Sequence, residues 1–186
     1  MMICVYGAAS DDINKQYISA GEELGLKMAQ HGHGLIFGGG AGGLMGAAAR
    51  GVHKGGGRIV GIIPSFFNVD GILYDKCDEQ IFTDTMRIRK QTMEDMSDAF
   101  IITPGGVGTF DEFFEMLTLR SLGRHSKPMA ILNTMGYYDN LVGMIEKGIE
   151  GGFIKPSVRD LTFVSDSVDE VLRYIDELSL IHISEP

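Results

Sequence analysis

Between residues 104 and 115 the chain reads PGGVGTFDEFFE, with three glycines in four residues and three acidic residues close behind. Gly105, Gly106 and Gly108 can take left-handed backbone conformations and turn successive N–H groups toward one point. That arrangement is an anion nest at a helix start. Thr109 adds a hydroxyl or caps the helix. No Lys-Ser/Thr pair follows the last glycine, so this is not the phosphate loop of ATP hydrolases. Glu112 and Glu115 are three apart and fall on one side of the predicted helix. One role for them is to complement the helix dipole. As close neighbours of a bound anion they would weaken it, so they make better sense facing another part of the same ligand.

A second chemical signal lies upstream in DTMRIRKQTMEDM, 84–96. Met86, Arg89, Met93 and Met96 recur at helical spacing, and a methionine face belongs against a core. Arg89 is therefore expected to point inward, where a guanidinium needs a carboxylate or phosphate partner. Glu112, Glu115 and a bound phosphate are the candidates; the alternative is a snorkelling surface arginine. A third signal, GGGAGGLMG at 38–46, places Gly38, Gly40 and Gly43 at G-x-G-x-x-G spacing between a strand and a helix. Gly39 and Gly40 are its candidate ligand-contacting residues. The acid that holds ribose hydroxyls in dinucleotide sites is missing from the next strand, which ends IVGIIPS. Contact with an anion or nucleotide and close helix–strand packing around Gly43, Gly46, Ala47 and Ala48 both fit this loop.

These loops need a scaffold, and the remaining pattern supplies one. Short apolar runs at 2–7, 34–39, 58–64, 79–83, 99–103, 128–133 and 160–164 alternate with helical segments. The helices are expected at 13–30, 44–54, 85–97, after the second glycine loop, at 137–150 and at 167–178. Ile-, Val- and Phe-rich strands alternating with helices predict a Rossmann-like, doubly wound α/β fold with a mostly parallel sheet in a single domain, 1–180. The stretch 65–77 reads as irregular, and the tail after 178 shows no periodicity and carries no assigned function. In such sheets ligands collect outside the carboxyl ends of the strands, which is where all three signals fall.

The chain has 186 residues and a net charge of −9, which argues against general nucleic-acid binding. Basic residues are nevertheless clustered at 86–90, and again at Arg120, Arg124, His125 and Lys127; Arg124 and Lys127 read as solvated surface. No apolar run approaches the roughly 20 residues of a membrane span, and the first residues lack a signal peptide's basic region. A cytoplasmic protein is expected. Cys4 and Cys77 lack metal or redox spacing and read as free thiols. No metal and no cofactor is expected.

Taken together, GGGAGGLMG (38–46), MRIRK (86–90) and PGGVGTFDE (104–112) closely resemble the Lonely Guy family, the cytokinin riboside 5′-monophosphate phosphoribohydrolases formerly described as possible lysine decarboxylases. The family pattern P-G-G-x-G-T-x-x-E falls on Pro104–Glu112 without a mismatch, and M-x-x-R-K falls on Met86, Arg89 and Lys90. The resemblance implies a subunit that forms at least a homodimer, with the active site near the interface. It also implies hydrolysis of the N-glycosidic bond of a nucleoside 5′-monophosphate. Carried over, Arg89 and Glu112 would be the catalytic pair, and Gly105, Gly106, Val107, Gly108 and Thr109 would hold the phosphate. Gly39, Gly40, Met86, Lys90 and Glu115 complete the implied substrate contacts. Two departures bear on base preference: YGAAS replaces the usual Gly-Ser-Ser, removing hydroxyls at Ala8 and Ala9, and Leu119 and Ser121 stand where relatives often carry Trp and Gln. The substrate is a cytokinin nucleotide or AMP. The alternative is a non-catalytic nucleotide-binding or cofactor-carrier protein on a related fold.

Overall fold

In a computed structural model that describes residues 1–67 and 71–183, every strand pairs in parallel. The strands are β1 (Met2–Tyr6), β2 (Gly34–Phe37), β3 (Ile59–Pro64), β4 (Glu79–Thr83), β5 (Ala99–Ile102), β6 (Met129–Leu132) and β7 (Phe163–Ser165). The helices are α1 (Lys15–Gln30), α2 (Gly43–Lys54), α3 (Met86–Met96), α4 (Val107–Ser121), α5 (Asp139–Glu150) and α6 (Val168–Ile183). The sheet order β4-β3-β2-β1-β5-β6-β7 reverses direction at β1, so a crevice opens where β1 and β5 diverge into their helices.

Alternate residues of the central strands feed two cores. Ile3, Val5, Leu35 and Phe37 pack with Leu24, Met28, Val52, Leu172 and Ile175 of α1, α2 and α6. Cys4, Tyr6, Ile36, Ile62 and Phe100 pack with Met93, Phe113, Leu117 and Tyr138 on the other face. This two-sided burial is why the strands read as continuous apolar runs. Helices α1 and α2 approach unusually closely: a Cβ at Gly25 would lie 2.0 Å from the Ala48 carbonyl oxygen, and one at Gly51 2.2 Å from that of Glu22.

Several boundaries differ from expectation for local reasons. Helix α1 starts at Lys15 because the Asn14 side chain accepts from the Gln16 N–H at 2.9 Å, a cap two residues into the expected segment. The last strand shrinks to Phe163–Ser165, since Pro156–Leu161 forms a 3-10 segment begun by the proline. Helix α6 runs past 178 to Ile183; no Gly or Pro interrupts the sequence there before Pro186. Residues 184–186 of the expected tail, and 68–70 of the expected irregular stretch, lie outside the described residues. Among the described residues no helix is long and apolar enough to cross a membrane.

Candidate active site

The carboxyl ends of β1 and β5 are tied together. The Thr103 N–H and its hydroxyl both donate to the Tyr6 carbonyl at 2.8 Å, and the Ala8 N–H donates to the Pro104 carbonyl at 3.0 Å. Gly7 is required at this junction, because a Cβ there would meet Thr103 Oγ1 at 2.1 Å. The second glycine loop leaves β5 from this point. Two tyrosines at the start of α5 hold its carbonyls from behind. Tyr138 Oη donates to the Thr103 carbonyl at 2.7 Å, and Tyr137 Oη to the Gly105 carbonyl at 2.6 Å. Burial raises the Tyr138 phenol well above its ordinary range, so it stays a donor. Neither tyrosine stands out in the sequence; the contact depends on a loop some thirty residues away folding back.

The loop then opens α4 with its donors facing outward. Helix α4 begins at Val107, with Gly106 as an N-cap that has no side-chain hydrogen bond. The first N–H groups of a helix have no intrahelical partners. Val107 is 82% exposed, and a Cβ at Gly106 or Gly108 would meet nothing within 4 Å. Thr109 does not cap the helix as expected. It lies inside the first turn and is buried, its hydroxyl packed over Gly105, where a Cβ would come within 2.2 Å. A recess of about 240 Å³ lies beside this helix start, lined by Ala8, Ser10, Tyr17, Pro104, Gly105 and Tyr137 among others.

The first glycine loop is closed by comparison. The Asp11 carboxylate accepts from the Gly43 N–H at 2.7 Å, occupying the α2 N-terminus with an internal anion. The Ala41 N–H donates to the Ile72 carbonyl, the Tyr74 N–H donates to the Gly39 carbonyl, and the Met45 N–H donates to the Ala8 carbonyl. Close packing therefore describes the 41–46 half of this loop. Gly38 lies against the ion pair, since a Cβ there would be 2.3 Å from Arg89 Nη2, while Gly39 takes φ +80° and packs over Ile63. Asp11 has a sequence signal only in retrospect, as an acid just after the first strand.

Arg89 points inward from α3, as its spacing predicts. Its Nε donates to the Ile62 carbonyl and its Nη1 to Glu112 Oε1, both at 3.0 Å. The two side chains are only 9% and 11% exposed. Burial pushes the Glu112 carboxyl above its ordinary value of 4.5, and Arg89 pulls it partly back. Glu115 does not share this pocket. It is exposed and meets Lys90 Nζ at 2.6 Å, while Asp111 meets the same ammonium at 3.0 Å. Asp111 and Glu115 are four apart and grip one cation between them, whereas Glu112 turns to the core side of the helix. Sequence reasoning missed Asp111, whose i,i+4 relation to Glu115 was legible. Met86 is 38% exposed at the rim rather than inward, and Phe114 is 44% exposed rather than part of the buried stripe of Phe113 and Leu117. Lys127 is also more engaged than a solvated surface lysine, donating to the Glu94 carbonyl.

The candidate residues thus separate into an exposed helix start at Gly106–Gly108 and a buried ion pair at Arg89–Glu112. Along α4, Val107 and Glu112 are five residues apart, a rise of about 7.5 Å.

Residues 45–175 match the family described as "Possible lysine decarboxylase". Curated relatives include the cytokinin riboside 5′-monophosphate phosphoribohydrolase LOG3 of Arabidopsis thaliana, 36% identical over 97% of this chain and 84% of that protein. The probable enzyme of the same name LOGL2, from Oryza sativa subsp. japonica, is 37% identical over 97% of this chain and 74% of its own. Among solved structures, the molybdenum cofactor binding protein of Rippkaea orientalis aligns with a TM-score of 0.73 at 22% identity, covering 95% of this chain and 96% of that one. A molybdenum cofactor carrier protein of Chlamydomonas reinhardtii aligns at 0.71 and 24%, with the same coverage. At those identities the likeness concerns the fold. The sequence relatives extend it to the site-bearing segments, and the chain belongs to the Lonely Guy, or possible lysine decarboxylase, family.

Proposed function

We propose that this protein hydrolyses the N-glycosidic bond of nucleoside 5′-monophosphates, a cytokinin riboside 5′-monophosphate or AMP, giving free base and ribose 5-phosphate. The observation that carries this reading is a buried Arg89–Glu112 pair on the same helix as an uncapped, open N-terminus. The 5′-phosphate sits on the N–H groups of Gly106, Val107 and Gly108, favoured by the helix dipole. Thr109 and Gly105 shape the loop, and Gly39 and Gly40 wall the opposite side. The ribose then spans toward Glu112.

Breaking the C1′–N bond sends its electron pair to the base and leaves positive charge on C1′ and the ring oxygen. The Glu112 carboxylate stabilises that charge and takes a proton from the attacking water, whose oxygen bonds to C1′. The departing base gains a proton from solvent, and Glu112 returns the one it took from water to solvent, so the step consumes one water and leaves the carboxylate unchanged. Arg89 stays protonated throughout. Its bond to Oε1 holds the carboxylate in place and partly offsets the effect of burial on its charge. Lys90, held between Glu115 and Asp111, lies at the edge of the site with Met86 and meets the phosphate by turning away from one of those carboxylates.

A homodimer belongs to the same reading. It is supported by exposed apolar side chains gathered around the carboxyl-terminal part of α4: Phe114 at 44%, Leu122 at 66% and Phe153 at 91% exposure. A cytoplasmic location is consistent with the unpaired thiols of Cys4 and Cys77. Light scattering across a concentration series tests the dimer, and a monomer throughout contradicts it.

The activity is tested by chromatographic detection of free base from AMP and from N6-isopentenyl-AMP, with Glu112→Gln run beside the unaltered protein. Base release that nearly vanishes in the variant is expected, and the faster substrate identifies the preferred base. Folded protein that binds AMP yet releases no base from either nucleotide overturns this reading in favour of a binding or carrier protein.

A further inference from the structure

At the opposite, amino-terminal edge of the sheet, the turn between α1 and β2 reads QHGHG, 30–34. His31 is the C-cap of α1, Gly32 takes φ +78° with open space around it, and His33 leads into β2. That left-handed step reverses the chain between the two histidines, so their rings come to lie with centroids 6.1 Å apart. Both turn to one carboxylate on α6. His31 Nδ1 is 2.8 Å from Asp176 Oδ2, and His33 Nε2 is 2.7 Å from Asp176 Oδ1. The three groups each offer one ligand atom, all within 4.8 Å of one another. We propose that His31, His33 and Asp176 bind a divalent transition-metal ion, zinc being the expected occupant, with three protein ligands and a fourth position open to water.

The donor set favours such an ion. Two imidazoles and a carboxylate suit zinc and similar borderline cations, and three protein ligands with an open position form a common arrangement. The geometry agrees. Bonds of about 2.0–2.2 Å to a tetrahedral ion set ligand atoms about 3.3–3.5 Å apart; here one atom from each group lies within 4.8 Å of the others, and each imidazole meets a different Asp176 oxygen, so side-chain shifts of about 1 Å bring the three to that spacing. The graded exposure helps: the His33 side chain is 8% exposed, Asp176 34% and His31 40%, giving one fixed ligand and two that can adjust while a hydrated ion enters. Among the described residues, no group bonds His33 Nδ1, although it is buried. Nothing therefore locks that ring in the tautomer that donates to Asp176, and Nε2 can present its lone pair instead.

The site lies away from the carboxyl-end crevice and does not depend on the proposed hydrolase reading. Its consequence is structural: the ion joins the α1–β2 turn to α6, along a seam that Lys27 and Asp169 already bridge at 2.8 Å.

The test uses tag-free, full-length protein, titrated with Co²⁺ and then Zn²⁺. One equivalent of Co²⁺ should give visible d–d absorption of low-symmetry four-coordination, which Zn²⁺ abolishes, and Zn²⁺ should raise the melting temperature. His31→Ala and Asp176→Asn should each weaken Zn²⁺ binding tenfold or more, about the range known for altered metal sites. His53→Ala, at an exposed histidine elsewhere, should leave it unchanged. His31 is exposed, so its variant should keep the circular dichroism of the parent. Absence of the cobalt bands, or Zn²⁺ affinity indifferent to both substitutions, reduces the cluster to a hydrogen-bonded latch and overturns the proposal.

Discussion

Replacing Arg89 with methionine isolates the buried ion pair, because methionine keeps the alkyl stem and removes the charge. In the folded protein Arg89 neutralises a Glu112 carboxylate whose side chain is 11% exposed. Stripping one partner from a buried pair costs about 3–5 kcal/mol, since the other charge is left uncompensated. That loss should appear in urea unfolding at pH 8, with protein concentration held constant. It should shrink in acid, and the sign follows from proton binding. Burial already sets the Glu112 pKa above its ordinary 4.5, so the folded state binds the proton more tightly than the unfolded chain. Stability from this group is therefore present at low pH and declines as pH rises from 4.5 through the folded pKa. Losing Arg89 removes the main lowering influence and lifts that pKa further. The decline therefore extends to higher pH in the variant than in the parent. As Glu112 takes up its proton in acid the charge penalty fades, leaving the loss of the guanidinium's bond to the Ile62 carbonyl. Adding Glu112→Gln to the variant should flatten the pH dependence. A loss below about 1 kcal/mol at pH 8, or one that does not change with pH, refutes the claim that this pair is buried and mutually dependent.

Further outcomes are expected. If Glu112 acts as a carboxylate, kcat/KM for base release should rise with pH through a midpoint above 4.5, the direction in which burial shifts this group; a midpoint at or below 4.5 assigns the limb to another residue. Gly7→Ala forces a methyl within 2.1 Å of Thr103 Oγ1 and should cost about 1–3 kcal/mol in a thermal or urea melt. Gly106→Ala meets open space, so it should stay within about 0.5 kcal/mol of the parent while weakening AMP binding in calorimetry. Tyr138→Phe leaves the Thr103 carbonyl without its 2.7 Å donor and should cost about 1 kcal/mol, whereas Asp11→Ala should cost a similar amount by uncapping α2 at Gly43; equal stability of either variant with the parent, by urea unfolding, contradicts the corresponding contact.

Much of this molecule was legible along the chain because its signals are local. Continuous apolar runs, glycine turns at strand ends and the alternation of strands with helices point to a parallel sheet through signals only a few residues long. The inward direction of Arg89 was legible for the same reason, since Met93 beside it on the helix needs a core. The charge partners were decided in three dimensions. Glu112 and Glu115 look equivalent at i,i+3, yet the packing of α3 against α4 gives Arg89 to one and Lys90 to the other. The two glycine loops also look alike in sequence, and only tertiary contacts separate them: Asp11 fills the start of α2, while the start of α4 stays open. His31 and His33 show their H-x-H spacing in the sequence, but the carboxylate that completes the cluster lies more than 140 residues away on α6. Local spacing sets which way a side chain leaves its own helix or strand. What it then meets depends on which other elements the sheet order brings alongside, and that is a property of the folded chain.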